Sequence, residues 1–132
     1  MLKLAQFTLL IWAFAGAALA TPIEDAPIPA AISLLIEHGQ PKFVDDNGMS
    51  LYTFDRDTPG VSTCTDQCAV TWPPVAAPAD AHRIGDWAPV RRVDATLQWA
   101  YKGKPLYRYR GDLGPGQTRG AGLGGVWRLV QP

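Results

Sequence analysis

Two histidines and two cysteines are all that 132 residues provide, and their arrangement excludes several chemistries. No Cys-x-x-Cys-His is present, so covalent c-type haem attachment is ruled out. Ser33, Ser50 and Ser62 lack a nucleophile-elbow context. The glycine-rich run from Gly111 to Gly125 has no Lys-Ser/Thr and no following helix signal, so it is not a nucleotide loop. A calcium loop is missing as well, since acidic residues do not alternate toward a closing Glu. A charge excess of either sign is lacking: 12 basic residues balance 12 acidic ones. A near-neutral exported chain makes nucleic acid a poor partner.

Beyond its first residues the chain also lacks any apolar run of about 20 residues, the length that crosses a bilayer. Met1 to Ala20 combines Lys3, an apolar run from Leu9 to Leu19 and the small-residue close Ala18-Leu19-Ala20. This predicts a secretory signal peptide over 1–20, cut before Thr21. The competing membrane anchor requires a longer run. No cysteine stands at the cleavage site, which argues against a lipid anchor and for a periplasmic or secreted product without a transmembrane segment. Residues 21–29 hold three prolines with Glu24 and Asp25 and read as an extended tether.

What is present is a repeat. Gly48-x-x-Leu51-Tyr52-x-Phe54-x-x-Asp57, followed by Trp72, returns as Gly103-x-x-Leu106-Tyr107-x-Tyr109-x-x-Asp112, followed by Trp127, each position 55 further on (52 to 107). Units of this length are too small to bury a core alone, so two copies in one domain over 30–132 are expected. Repeat one spans 32–74, a linker rich in Ala and Pro spans 75–86, and repeat two spans 87–132.

The local pattern is all-β. Ile32, Leu34 and Ile36 alternate as in a strand, with a short helix ending at Gly39 as the competitor. Asn47-Gly48 predicts a two-residue type I′ turn between Phe43–Asp46 and Met49–Asp55. On the returning strand Tyr52 and Phe54 should be buried, leaving Leu51, Thr53 and Asp55 on the other face. In repeat two, Asp94-Ala95 is matched with Gly39-Gln40 and Lys102-Gly103 with Asn47-Gly48. Strands are then predicted over 87–93, 97–101 and 105–110, with a last one over 126–130. The fold reading is two tandem three-strand meanders, each with a Trp-bearing segment, around Tyr52, Phe54, Trp72, Trp99, Tyr101, Tyr107, Tyr109 and Trp127.

These residues resemble the bacterial family of secreted repeats of unknown function, catalogued as predicted lipoproteins with a Tyr-x-aromatic-x-x-Asp motif. The matching text is Gly48 to Asp57, Ser62 to Ala69 with Trp72-Pro73-Pro74, Gln98 to Tyr107, and Asp112 with the glycine run to Trp127. The resemblance implies an exported protein built from repeats and assigns no activity.

Candidate chemistry therefore rests on single residues. Cys64 and Cys68 in an exported chain predict a local disulfide, worth only about 2 kcal/mol for so short a loop, with redox exchange or metal binding as alternatives. Copper would draw on Cys64, Cys68 and His82, with His38 and Met49 as further donors, and non-covalent haem between aromatic faces is a second cofactor candidate. Asp57 and Asp112 are expected to cap turns. From Thr21 to His82 nine acidic residues face two basic ones; from Arg83 onward three face nine. Two consequences follow from that split: Asp55 should attract Arg108 and Arg110 across a pseudo-twofold axis, or the basic repeat should dock an acidic protein or envelope component. The function so implied is a non-enzymatic binding or accessory protein of the cell envelope, with redox or metal handling and a structural envelope role as alternatives.

Overall fold

A computed structural model describes residues 16–17 and 26–132. The rest of the expected signal peptide, and tether residues 21–25, lie outside the described residues. The fold is all-β, and among the described residues there are eight short strands and one five-residue α-helix, α1 (Gln67–Thr71).

Strands β1 (Ile32–Glu37) and β2 (Gln40–Asp45) form a hairpin, from Ile32↔Asp45 to Glu37↔Gln40, so Ile32 to Ile36 is a strand and not a helix. His38 and Gly39 at its tip have φ of 50° and 75°, the left-handed pair that suits the strand twist.

The Asn47-Gly48 turn differs from the two-residue form expected. Gly48 N–H donates to Asp45 C=O (3.0 Å) and Asp45 N–H to Met49 C=O (2.9 Å), giving a three-residue loop closed by a left-handed Gly48 (φ 78°). The cause is Asp45, whose Oδ1 accepts the N–H groups of Asn47 and Met49 (2.8 and 2.9 Å) and so fixes a wider turn. Repeat two trades the lengths. β5 (Trp87–Arg91) reaches β6 (Leu97–Tyr101) through a longer loop, closed by Arg92 N–H to Thr96 C=O, and β6 reaches β7 (Lys104–Pro105) through the two-residue Lys102-Gly103 turn, φ 50° and 80°. Asp94-Ala95 therefore matches His38-Gly39, one residue away from the expected register.

The larger correction concerns the meander of repeat one. After the Val44↔Ser50 bridge, β3 (Tyr52–Phe54) leaves its own hairpin and pairs with β8 (Trp127–Leu129), the tryptophan strand of the other repeat. The exchange is reciprocal: Arg108 N–H donates to Pro73 C=O (2.8 Å) and Arg110 N–H to Thr71 C=O (2.9 Å). β4 (Ala76–Ala77), expected within the linker, pairs with β6. Val75 C=O accepts Trp99 N–H (2.9 Å) as Val130 C=O accepts Phe43 N–H (3.1 Å). On the pseudo-twofold axis Tyr52 and Tyr107 exchange both backbone hydrogen bonds (2.8 and 2.9 Å).

This crossing divides the interior in two. Side chains alternate along a strand, so Leu51 and Leu106 enter one core with Ile32, Phe43, Val75, Trp87, Trp99 and Val130, whereas Tyr52 and Tyr107 enter a second with Cys64, Trp72 and Trp127. The expectation that Leu51 and Thr53 face solvent fails because β3 lies between two layers: Leu51 is 0% and Thr53 8% exposed. Asp55 does remain near the surface, but its partner is Arg128, the cross-strand neighbour of Thr53 (Nη2–Oδ2 2.7 Å), while Arg108 lies 3.5 Å from Asp45.

Because Leu51 and Leu106 are equivalent and fully buried, Leu51→Ala and Leu106→Ala should each cost about 2–5 kcal/mol, by similar amounts. Urea unfolding of both variants checks this. A large loss in only one would mean that the first core belongs mainly to one repeat.

Candidate functional site

The motif residues meet at the junction of the repeats. Tyr52 Oη donates to Asp112 Oδ2 and Tyr107 Oη to Asp57 Oδ2, both at 2.6 Å, so each tyrosine is held by the other repeat's aspartate. The remaining oxygens fix the following loops. Asp57 Oδ1 accepts Thr63 N–H and Oγ1 (2.7 and 2.9 Å), and Asp112 Oδ1 accepts Arg119 N–H (2.8 Å). Burial first, and then the bond to Asp112, raises the pKa of Tyr52 above its ordinary value. The Tyr107 hydroxyl is pushed up to about 12 by burial and by Asp57.

Next to these bonds four rings stack in a column, Phe54–Trp127–Trp72–Tyr109, with centroid spacings of 4.3, 3.7 and 4.4 Å. Aromatic residues from both repeats alternate within it. Tyr52 and Tyr107 meet the two tryptophans edge-on at 5.5 and 5.2 Å. The glycine-rich loop runs against the column. A Cβ on Gly120 would lie 2.8 Å from the Trp72 ring and 3.0 Å from Tyr52, so the backbone passes where no side chain fits.

In repeat one the matching stretch is closed by the Cys64–Cys68 disulfide. Cys64 is fully buried, and Cys68, with Trp72, Trp127 and Arg56, lines a shallow groove. His38 and His82 are exposed and Met49 is half-buried. Among the described residues no three His, Cys, Asp or Glu side chains gather into a group that could hold a metal.

One polar centre escaped the sequence reading. Arg92 is buried, donating from Nη1 to Gln98 Oε1 (2.8 Å) and Ser62 Oγ (2.9 Å) and from Nη2 to Cys64 C=O (2.8 Å). Gln98, fully buried, donates to Leu106 C=O (2.7 Å). Repeat two thereby anchors the disulfide loop of repeat one. Strand alternation, which puts Arg92 on the face of Val90, is the only signal that pointed inward.

With the motif side chains held by these contacts, a more apolar concavity lies away from them. A cavity of about 180 Å³ opens between the two hairpins, walled by Leu34 of β1, Phe43 of β2, Trp87 of β5 and Tyr101 of β6, and closed by Ala26–Ile28 and Pro132. Phe43 meets Trp87 and Tyr101 edge-on, with centroids 4.8 and 5.1 Å away. Asp86 is its one charged lining residue among the described residues. Apolar cavities of about 150 Å³ hold a benzene-sized guest, so this one suits a single aromatic ring or a short branched chain. Phe43 and Trp87 were not singled out in the sequence because neither belongs to the repeated motif.

A family model described as a secreted repeat of unknown function matches residues 39–76 and 88–131. No curated protein and no solved structure matches the chain.

The raised tyrosine pKa sets a pH dependence. An unfolded tyrosine ionises near 10 and folded Tyr107 near 12, so the unfolded state loses its proton first. The stabilisation is complete below pH 10 and is lost as pH rises toward 12. Chemical denaturation across pH 8–12 should show that fall. Tyr107→Phe should be less stable at neutral pH and show a shallower decline; an unchanged slope would remove Tyr107 as its source.

Proposed function

The chain belongs to the family of secreted repeats of unknown function, and from that premise we propose that it is a non-enzymatic binding or accessory protein of the cell envelope, exported by its N-terminal signal peptide, that takes a compact apolar ligand. The cavity between the hairpins carries this reading. It is concave and largely apolar, with three aromatic rings and, among the described residues, a single carboxylate, the composition of a small-molecule site. The Tyr–Asp pairs support a non-catalytic role, because both carboxylates and both hydroxyls are engaged in holding the repeats together.

A second reading, thiol–disulfide exchange, draws on Cys68 lining a groove open to solvent. The full burial of Cys64 and the Arg92 anchor on its carbonyl favour a staple instead, since they leave only the Cys68 sulfur open to attack and hold the loop in place. An acidic envelope partner would find Arg108 and Arg110 side by side with Met49 and Tyr109 on the outer face of repeat two.

Titration with toluene or p-cresol, followed by amide NMR, should give saturable shifts centred on Leu34, Phe43, Trp87 and Tyr101. Leu34→Trp, which fills the cavity, should abolish them. Shifts that do not saturate, or that centre on Cys68 and Trp127, would overturn the assignment of the site.

A further inference from the structure

The duplicated hairpins provide a comparison within one molecule. β1 and β5 are counterparts, Ile32 matching Trp87 and Glu37 matching Arg92, and among the described residues β1 pairs only with β2 and β5 only with β6. Phe43 and Asp45 turn their N–H groups away from β1, to Val130 and Met49. Gln40, Lys42 and Val44 therefore serve β1, through Glu37, Leu35 and Ser33. By antiparallel alternation Leu34 and Ile36 direct their N–H and C=O groups to the open side. Ile32 N–H is already taken by Pro29 C=O (2.9 Å).

Such an edge is a template for another strand, and proteins ordinarily blunt it with proline or a cation. β5 has both devices: Pro89 replaces Leu34 and has no N–H, and Arg91 replaces Ile36. β1 reads Ile-Ser-Leu-Leu-Ile-Glu, with neither, and leaves Leu35 36% and Ile36 59% exposed. The two edges occupy equivalent places in the fold, and among the described residues only one is protected.

We propose that β1 is an association edge at which a second copy of the chain adds its own β1 in antiparallel orientation, forming a twofold-symmetric dimer with a continuous sheet. The strand is self-complementary about Leu35. That register sets Leu34 against the partner's Ile36 and Ile36 against the partner's Leu34, giving four backbone hydrogen bonds. Leu35 packs on the partner's Leu35, and Glu37 faces the partner's Ser33, so no like charges meet. A foreign peptide strand would use the same hydrogen bonds but would not need this symmetry.

Sedimentation velocity from micromolar to millimolar protein should show a monomer–dimer equilibrium. Ile36→Arg, which copies Arg91 onto an exposed position, should remain monomeric throughout with an unchanged melting temperature. Leu35→Cys should form an intermolecular disulfide on mild oxidation, because directly opposed residues in such a pair have Cβ atoms only about 4.5–5.5 Å apart. A wild-type protein that stays monomeric overturns the proposal. So does a dimer that persists in Ile36→Arg, or one whose Leu35→Cys form does not cross-link. A monomer that instead binds an apolar peptide at β1 would assign the edge to a foreign strand.

Discussion

Everything in this fold depends on two tyrosines that meet backbone to backbone on a pseudo-twofold axis and then reach across it. Tyr52 and Tyr107 exchange both main-chain hydrogen bonds, and each hydroxyl donates to the aspartate of the other repeat. A buried hydroxyl without a partner is costly, so neither tyrosine is satisfied unless both repeats are in place. The tryptophans obey the same rule, each stacking on an aromatic residue of the other copy. The Leu-Tyr dipeptide of each motif is the point at which the chain passes between two cores, the leucine serving one and the tyrosine the other.

The duplication, the all-β class and the short cysteine bridge were legible because each leaves a local mark: an identity at fixed offset, alternation along a strand, and two cysteines four residues apart. The exchange of strands was not. A strand such as Tyr52–Phe54 bears the same alternation whether it pairs with its own hairpin or with Trp127–Leu129, and nothing local selects between them. The turn at Asn47-Gly48 was misjudged for a related reason. The dipeptide permits a type I′ turn, but the side chain of Asp45, two residues upstream, bonds the backbone and fixes a wider loop. Asp55 likewise found Arg128 instead of Arg108 because pairing with β8, not the repeat offset, sets its neighbours.

The candidate site was the least legible part. Its walls come from Leu34, Phe43, Trp87 and Tyr101, on four strands of the two hairpins, and no spacing along the chain brings such residues together. The residues that repeat most faithfully are consumed by architecture. Divergence between the copies is where freedom for function remains: cysteine against glycine in the loops, proline and arginine against leucine and isoleucine on the hairpin edges, and opposite charge in the two halves.

The exchanged tryptophan strands also bear on the order in which the chain can fold. The β1–β2 hairpin forms from neighbouring residues. Among the described residues, however, β3 pairs only with residues of the second repeat, Tyr107 and the β8 strand at the far end of the sequence, so the junction of the repeats waits for residues synthesised last. Contacts between distant parts of a chain form slowly, because loop closure must precede them. A chain that lacks its last strand leaves Tyr52–Phe54 without its β8 partner and Phe54 and Trp72 without the ring that stacks between them, so the two repeats become one structure only when the chain is whole.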